Sequence, residues 1–502
     1  MTTDAATRAG AGRLFSGVVW NALGRGLPLL IALLLTPVLL RLMGVERWGL
    51  FTLALAMVGV MGVLDLGVGP ALTRTLSARM HDHTAEQQAS LVRAGIAALG
   101  GVSVLVTAGL WFAVPGIVTH ALNVPEAMRP EAAAAIRVLA LAIPLVVVNA
   151  ALWGVMAAYQ RFAAANLVTV PVNLMYYLGP VLALLAWDDL SGVMWTLVAC
   201  RAVNTVTYTW LVRRDLPTLW HGLPELRLAA PLLKLGGWIT FASVTGQALL
   251  YADRFLIGAL VTLTAVAYYA TPLDLVMRLW ILPVAVSQAL LPAMASAYAS
   301  LPIATAALLR RGGILILLLV FPAAAILAGA GHEILWLWLG REMADGGGQV
   351  LAVLAVGGLF SCFAYAPNAL LEAMGRPDVT ARFVLVQVVV FMPLSAGALM
   401  LAGIQGAALA WALRVVVDAL GKMFFVSWLY PKAGTAIRSL VPPLLVAGAT
   451  LGLLTSADSW TAKAIILAVG GVALLALCWR ALEPEERLAL RNPRGWRGLM
   501  RA

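Results

Sequence analysis

Long apolar runs separated by short polar connections dominate the chain. Crossing about 30 Å of hydrocarbon takes roughly 20 residues of helix. Fourteen runs approach or exceed that length, at 17–40, 48–72, 90–112, 132–158, 163–186, 192–211, 235–260, 265–291, 314–330, 350–374, 383–402, 406–429, 436–454 and 464–481. None alternates apolar with polar positions, so strands are not expected, and a helix satisfies its own backbone groups in lipid. The predicted fold is an all-α integral membrane protein of about 14 transmembrane helices.

The first twelve segments read as one block of six helices written twice, with an offset of about 215 residues. Trp20 pairs with Trp238, Arg93 and Gly95 with Arg311 and Gly313, Arg161 with Arg376, Gly192 with Gly406, and Asn204 with Asp418. Because each copy holds an even number of helices, the copies are parallel. They are therefore expected to form two pseudo-symmetric bundles that rock about a central cavity. The predicted organisation is a cytoplasmic N-terminus (1–16), a six-helix bundle (17–226), a second six-helix bundle (227–432), two additional transmembrane helices (433–482) and a basic cytoplasmic tail (483–502).

Composition agrees with lipid as the solvent. Hydrophobic residues are 62% and charged residues 11%, and mean hydropathy is +0.93, whereas a soluble domain is about a quarter charged. The net charge of +11 is mostly loop asymmetry. Arg8 and Arg13, Arg74, Arg79 and Arg93, Arg161, Arg213 and Arg214, Arg310 and Arg311, Arg376 and Arg382, Lys432 and Arg438, and the tail arginines fall on alternate connections. The other connections carry Glu126, Glu131, Asp188, Asp189, Glu333, Glu342 and Asp345. The positive-inside rule then puts both termini in the cytoplasm, and no nucleic-acid partner is needed to explain the charge. The tail can also touch anionic membrane lipid. Helix 1 is a full span rather than a cleavable signal peptide.

Soluble chemistry leaves little trace. There is no phosphate-cradling Gly-rich loop with Lys and Ser/Thr, no HExxH and no Cys cluster, so ATP-driven transport by this chain alone, a cofactor and a metal are not expected. His81, Asp82 and His83 have metal-binding chemistry but read more simply as a polar loop. Cys200, Cys362 and Cys478 lie in separate helices and read as packing residues. The first outer connection, Arg41 to Arg47, is too short to carry the catalytic carboxylates of a membrane glycosyltransferase, so the chain does not read as an enzyme.

Charges inside the helices are the informative positions, because one at the bilayer centre costs on the order of 3 kcal/mol or more and usually faces water or a partner. Arg25 lies in helix 1; Asp253 and Arg254 are adjacent in helix 7; Arg201 is mid-helix 6. Asp274 and Arg278 are four apart in helix 8, and Arg414, Asp418 and Lys422 form a stripe of alternating sign in helix 12. The pairs Asp274/Arg278 and Arg414/Asp418 are either structural ion pairs or part of a transport path. Arg137, Glu372 and Lys422, near helix ends, either snorkel or line that path. Asp65 is either a proton site or a cap for helix 2. Pro28 and Pro37, Pro272, Pro283 and Pro292, and Gly236, Gly237 and Gly246 are expected to interrupt or loosen helices 1, 8 and 7.

The stretch Leu42-Met43-Gly44-Val45-Glu46-Arg47-Trp48-Gly49-Leu50-Phe51, followed by Leu64-Asp65-Leu66-Gly67 and Arg74, resembles the opening of polysaccharide-exporting flippases of the multidrug/oligosaccharidyl-lipid/polysaccharide (MOP) superfamily. The resemblance covers the first twelve helices, with two further helices as is usual in its lipid-linked oligosaccharide flippases. It implies a MATE-like architecture and translocation of an undecaprenyl-diphosphate-linked oligosaccharide across the bacterial inner membrane for O-antigen, capsule or exopolysaccharide export. A glycan polymerase is an implied partner. By this resemblance Arg25 and Arg254 match arginines of helices 1 and 7 that line a cationic cavity in lipid II flippases. Guanidinium forks suit a diphosphate, so Arg25, Arg254, Arg278, Arg201 and Arg414 are the candidate substrate-binding residues. Asp65, Asp253, Asp274 and Asp418 are the candidate sites for H+ or Na+ coupling. The alternatives are a cation-coupled multidrug exporter of the same superfamily, which predicts an anionic cavity, and a membrane enzyme or scaffold for glycan synthesis. The second copy lacks the opening motif: Ala259-Leu260-Val261-Thr262 stands where a glycine turn is expected.

Overall fold

In the computed structural model the described backbone covers residues 2–61, 68–79, 84–484, 486 and 487; the side chains of 2–29, 58, 61, 68, 78–79, 162–163, 220, 226, 231–245 and 248 are outside the description. Among the described residues there is no strand. All fourteen expected segments lie on helix over their described residues, with breaks of a single turn. The chain folds as two compact units, Met1–Ala267 and Tyr268–Ala502.

The first unit contains α1 (Thr2–Met61), α2 (Val68–Arg79), α3 (Ala85–Gly116), α4 (Arg129–Ala140), α5 (Ala142–Ala158), α6 (Phe162–Ala186), α7 (Leu190–Asp215) and α8 (Ala229–Leu260). Its core gathers Leu72 and Leu76 of α2, Val92 and Leu99 of α3, Ile143, Val147, Leu152 and Val155 of α5, and Tyr208 and Val212 of α7. The unit boundary falls at Ala267, beyond the repeat boundary expected at 226/227, because α8 packs on α1 and α2.

The second unit follows with α9 (Leu263–Met277), which begins just before the boundary, then α10 (Ile281–Ala297), α11 (Pro302–Gly329), α12 (Gly331–Leu339), α13 (Arg341–Phe363), α14 (Tyr365–Ala373), α15 (Pro377–Leu429), α16 (Gly434–Ser456) and α17 (Trp460–Ala481). Here α11 and α13 are the centre, packing on α15 and α16. The short α12 was not expected from the sequence.

Among the described residues nine helical stretches are long and apolar enough to cross a membrane, and α15 alone holds two expected spans on either side of non-helical backbone at Ala402 and Gly403. Their outer surfaces are apolar: Phe112 is 82% and Leu401 90% exposed. Exposed large apolar side chains on such long helices fit hydrocarbon surroundings. The protein is a multi-pass membrane protein. All three cysteines are free and buried.

Proline accounts for some of the helix breaks, though not at all the expected places. Helix α1 runs through Pro28 and Pro37, and its non-helical residue is Gly44 (φ 75°, ψ 168°). The expected interruption by those prolines therefore does not occur, nor does it at Pro272 inside α9 or Pro292 inside α10. Elsewhere a proline without an N–H releases the carbonyl four residues back. The α4/α5 break at Leu141 lies three residues before Pro144, and the carbonyl so released, that of Ala140, accepts from the Thr107 hydroxyl at 3.3 Å. The α13/α14 break at Ala364 lies three residues before Pro367, at the corresponding helix of the second copy. A 3-10 turn, Arg278–Trp280, separates α9 from α10 just ahead of Pro283.

The opening motif is a packing device. Gly44 makes a left-handed turn that joins two helical segments without a loop. Arg47 then pairs with Glu131 at 3.0 Å and Asp188 at 2.7 Å, tying that turn to the start of α4 and the α6–α7 connection. A Cβ at Gly49 would lie 1.9 Å from the Leu263 carbonyl oxygen, so only glycine fits. In the second copy the turn is built differently. Asn123 Nδ2 donates to Val261 O at 2.6 Å, and Thr262 Oγ1 accepts from Ala265 N at 3.1 Å at the start of α9.

Arg93 and Arg311, which the sequence comparison pairs, each hold a later segment of their own unit. Arg93 donates to Thr218 O at 2.8 Å and pairs with Glu86 at 2.7 Å. Arg311 meets Glu486, beyond α17, at 2.6 Å. Arg310 reaches Glu483 at 2.7 Å and Glu486 at 3.1 Å. Burial pushes the Glu486 carboxyl up, but the Glu483 N–H and the two guanidiniums outweigh it and leave it below the usual carboxylate range. Between the fourth and fifth segments, the hydrogen bond and charge of Asp215 raise the Arg161 guanidinium pKa, with the pair at 2.5 Å.

Candidate functional site

Helices α7, α8, α9 and α15, with the turn after α9, carry the expected site residues whose side chains the structure describes. Arg25 has its backbone in α1, but its side chain lies outside the described residues, as does Asp65 altogether. In α8, Asp253 and Arg254 are 7% and 3% exposed. The Arg254 guanidinium sits 5.3 Å from the centre of the Tyr251 ring, one turn earlier. That ring has its place because Gly59 of α1 lacks a side chain: a Cβ there would meet the ring at 2.9 Å.

Arg201 in α7 is half-buried over the Tyr176 ring of α6 at 5.2 Å, and its buried Nε has no hydrogen-bond partner among the described residues. Arg414 in α15 lies 5.9 Å from the Trp411 ring centre, again one turn back. Arg278 is exposed in the 3-10 turn after α9, and Asp274, half-buried, is the last acidic residue of α9. Asp418 is engaged by Lys422 Nζ at 2.7 Å and by Gln387 Nε2 at 2.8 Å. Of the open alternatives for the helix-12 stripe, this geometry favours a structural pair, formed toward Lys422.

A common arrangement links these arginines. Arg254, Arg201 and Arg414 each lie against an aromatic face, and so do Arg137 over Trp111 at 5.7 Å and Arg214 over Trp210 at 3.6 Å. A ring quadrupole stabilises a desolvated guanidinium by about 2 kcal/mol without neutralising it. A carboxylate would cancel the charge and occupy the donor fork. Rings therefore help a cation persist inside apolar helices. Among the described residues no group of three or more His, Cys, Asp and Glu could hold a metal ion.

Residues 14–298, more than half of the chain, match the family described as "Polysaccharide biosynthesis protein". The chain belongs to the polysaccharide biosynthesis protein family. A Shigella flexneri protein named "Putative O-antigen transporter" is 24% identical over 416 residues, covering 82% of this chain and 97% of that protein. Among solved structures, the lipid II flippase MurJ in an inward closed conformation superposes with a TM-score of 0.70 at 12% identity, over 92% of this chain and 98% of that one. An inward-facing multidrug resistance MATE family transporter of the MOP superfamily gives 0.67 at 13% identity, over 82% and 95%. The fold is thus the one shared by MurJ and MATE transporters, as the opening motif implied.

For this member of the polysaccharide biosynthesis protein family, the rings were the part of the site that the sequence reading missed. Tyr251/Arg254 and Trp411/Arg414 are both three apart, a spacing that places them on one helix face. Tyr176 and Arg201 come together only through α6 packing on α7.

Proposed function

We propose that this protein moves an undecaprenyl-diphosphate-linked oligosaccharide from the inner to the outer leaflet of a bacterial inner membrane, with both termini cytoplasmic, for export of a surface polysaccharide. The observation that carries this reading is the set of arginines held against aromatic rings within apolar helices. A diphosphate carries its charge into the membrane and needs persistent cations, and guanidinium forks match phosphate oxygens bidentately. Family membership and the similarity to a protein named as an O-antigen transporter support the glycan part of the assignment. A drug exporter for cations would need the opposite sign.

In the proposed cycle Arg25, Arg201 and Arg254 of the first unit and Arg278 and Arg414 of the second are each candidate contacts for the diphosphate. The sugars cross in an aqueous path while the polyprenyl chain stays in lipid, and alternating access reverses the opening. Asp253, buried beside Arg254, is the carboxylate we assign to coupling with H+ or Na+. Asp418 is left out of that role because Lys422 and Gln387 already hold it.

The test is to delete the gene in its host and analyse lipid-linked glycans, complementing with wild type, Arg254→Ala and Arg201→Ala. Build-up of a diphosphate-linked oligosaccharide in the inner leaflet, rescued by wild type alone, is the expected result. Normal glycan export in the deletion strain would sink the assignment.

A further inference from the structure

The crossing of α2 and α5 creates a site outside the arginine–ring set. At the crossing the backbones touch: a Cβ on Gly154 would lie 2.2 Å from Gly69 O. The Thr73 hydroxyl fastens the contact by donating to Gly154 O at 2.8 Å. Beside it lies an open groove of about 560 Å³ lined by Pro70, Thr73, Arg74, Ser77, Ala150 and Trp153. That volume is of the size that accepts a small organic group rather than a single ion.

Its lining divides by chemistry. Arg74 and Ser77 are exposed on one flank of α2, and neither has a hydrogen-bond or ion-pair partner among the described residues. On α5, Trp153 is 38% exposed. Its ring is braced by Tyr208 at 6.3 Å, whose hydroxyl is in turn held by Thr169 at 2.5 Å. Pro70 and Ala150 add apolar lining. A guanidinium without a partner among the described residues, with a hydroxyl one turn away, suits phosphate oxygens. An indole and an apolar lining suit what adjoins the phosphate of a lipid, and Trp with Arg is the pairing found where a helix meets the membrane surface.

We propose that this groove binds the phosphate of a lipid, with Arg74 and Ser77 taking the phosphate and Trp153 packing on the group next to it. Two lipids present that chemistry, the polyprenyl phosphate of a glycan carrier and an anionic membrane phospholipid. The site shares no residue with the arginines of the proposed translocation path, so it stands whether or not that path carries glycan.

The test uses the purified full-length protein and native mass spectrometry, titrating undecaprenyl phosphate, phosphatidylglycerol or zwitterionic phosphatidylcholine. Arg74→Gln and Trp153→Leu are compared with wild type, and Trp153→Phe controls for loss of packing. Loss of a charge-assisted phosphate contact predicts about a tenfold weaker retention of the anionic lipids by Arg74→Gln. Trp153→Leu should weaken it less and Trp153→Phe least. Preference for undecaprenyl phosphate over phosphatidylglycerol identifies a carrier site, and equal retention identifies a headgroup site. Equal binding of every lipid by wild type and folded Arg74→Gln overturns the proposal.

Discussion

Arg311 Nε donates to Glu486 Oε1 at 2.6 Å, so the residues just past α17 are tied to α11. Glu486 is buried, and Arg310 reaches the same oxygen. Removing one partner of such a cluster leaves a buried charge uncompensated, at a cost on the order of 3 kcal/mol. Glu486→Gln is expected to lower the melting temperature of the purified protein, measured by intrinsic fluorescence. Because the folded carboxyl lies below its ordinary range, its contribution is complete above the unfolded carboxylate pKa and fades as pH falls through the lowered folded value. The gap between wild type and Glu486→Gln should thus be constant around neutrality and close only in acid; a gap that widens in acid would contradict this.

Gly154 should accept no larger side chain. A Cβ there meets the Gly69 carbonyl oxygen at 2.2 Å, whereas Gly101 of α3 has nothing within 4 Å. Gly154→Val is expected to remove most monodisperse protein in fluorescence size-exclusion profiles. Gly101→Val should leave the profile near wild type, since only the small helix-propensity and surface terms change.

Asp418 and Lys422 should behave as a structural pair. Asp418→Asn alone strands the lysine and is expected to destabilise by about 3 kcal/mol. The double variant Asp418→Asn with Lys422→Gln should recover much of that loss and retain glycan export. Loss of export by a well-folded double variant would return Asp418 to the coupling candidates.

The rings under the arginines should matter through their faces rather than their hydroxyls. Tyr176→Phe keeps the face and should export glycan near the wild-type rate. Tyr176→Leu removes a cation–π contribution of about 2 kcal/mol and should slow export by about tenfold or more. Arg201→Ala should be at least as severe. Initial rates in an everted-vesicle flipping assay would distinguish the three, and equal rates for the Phe and Leu variants would refute the role of the ring.

Much of the fold was readable because lipid imposes one rule, that long apolar runs be helical. The breaks at Leu141 and Ala364 were readable in principle too, each standing three residues ahead of a proline. Gly44 was harder: the motif flagged it, but that α1 would pass Pro28 and Pro37 and turn only at the glycine depends on backbone angles. The partner of Asp418 was undecidable from spacing, since Arg414 and Lys422 are both four residues away, and Gln387 arrives from the other arm of α15. The Arg201–Tyr176 contact needs the packing of two helices, which no periodicity encodes.

Cys200, Cys362 and Cys478 are buried at 8%, 0% and 3% exposure. Bulky hydrophilic maleimides have little access to thiols so enclosed, which makes the natural chain a nearly silent background for site-directed labelling. A single cysteine introduced in place of exposed Arg74 or Arg278 would then report, one position at a time, from which side of the membrane it is reached.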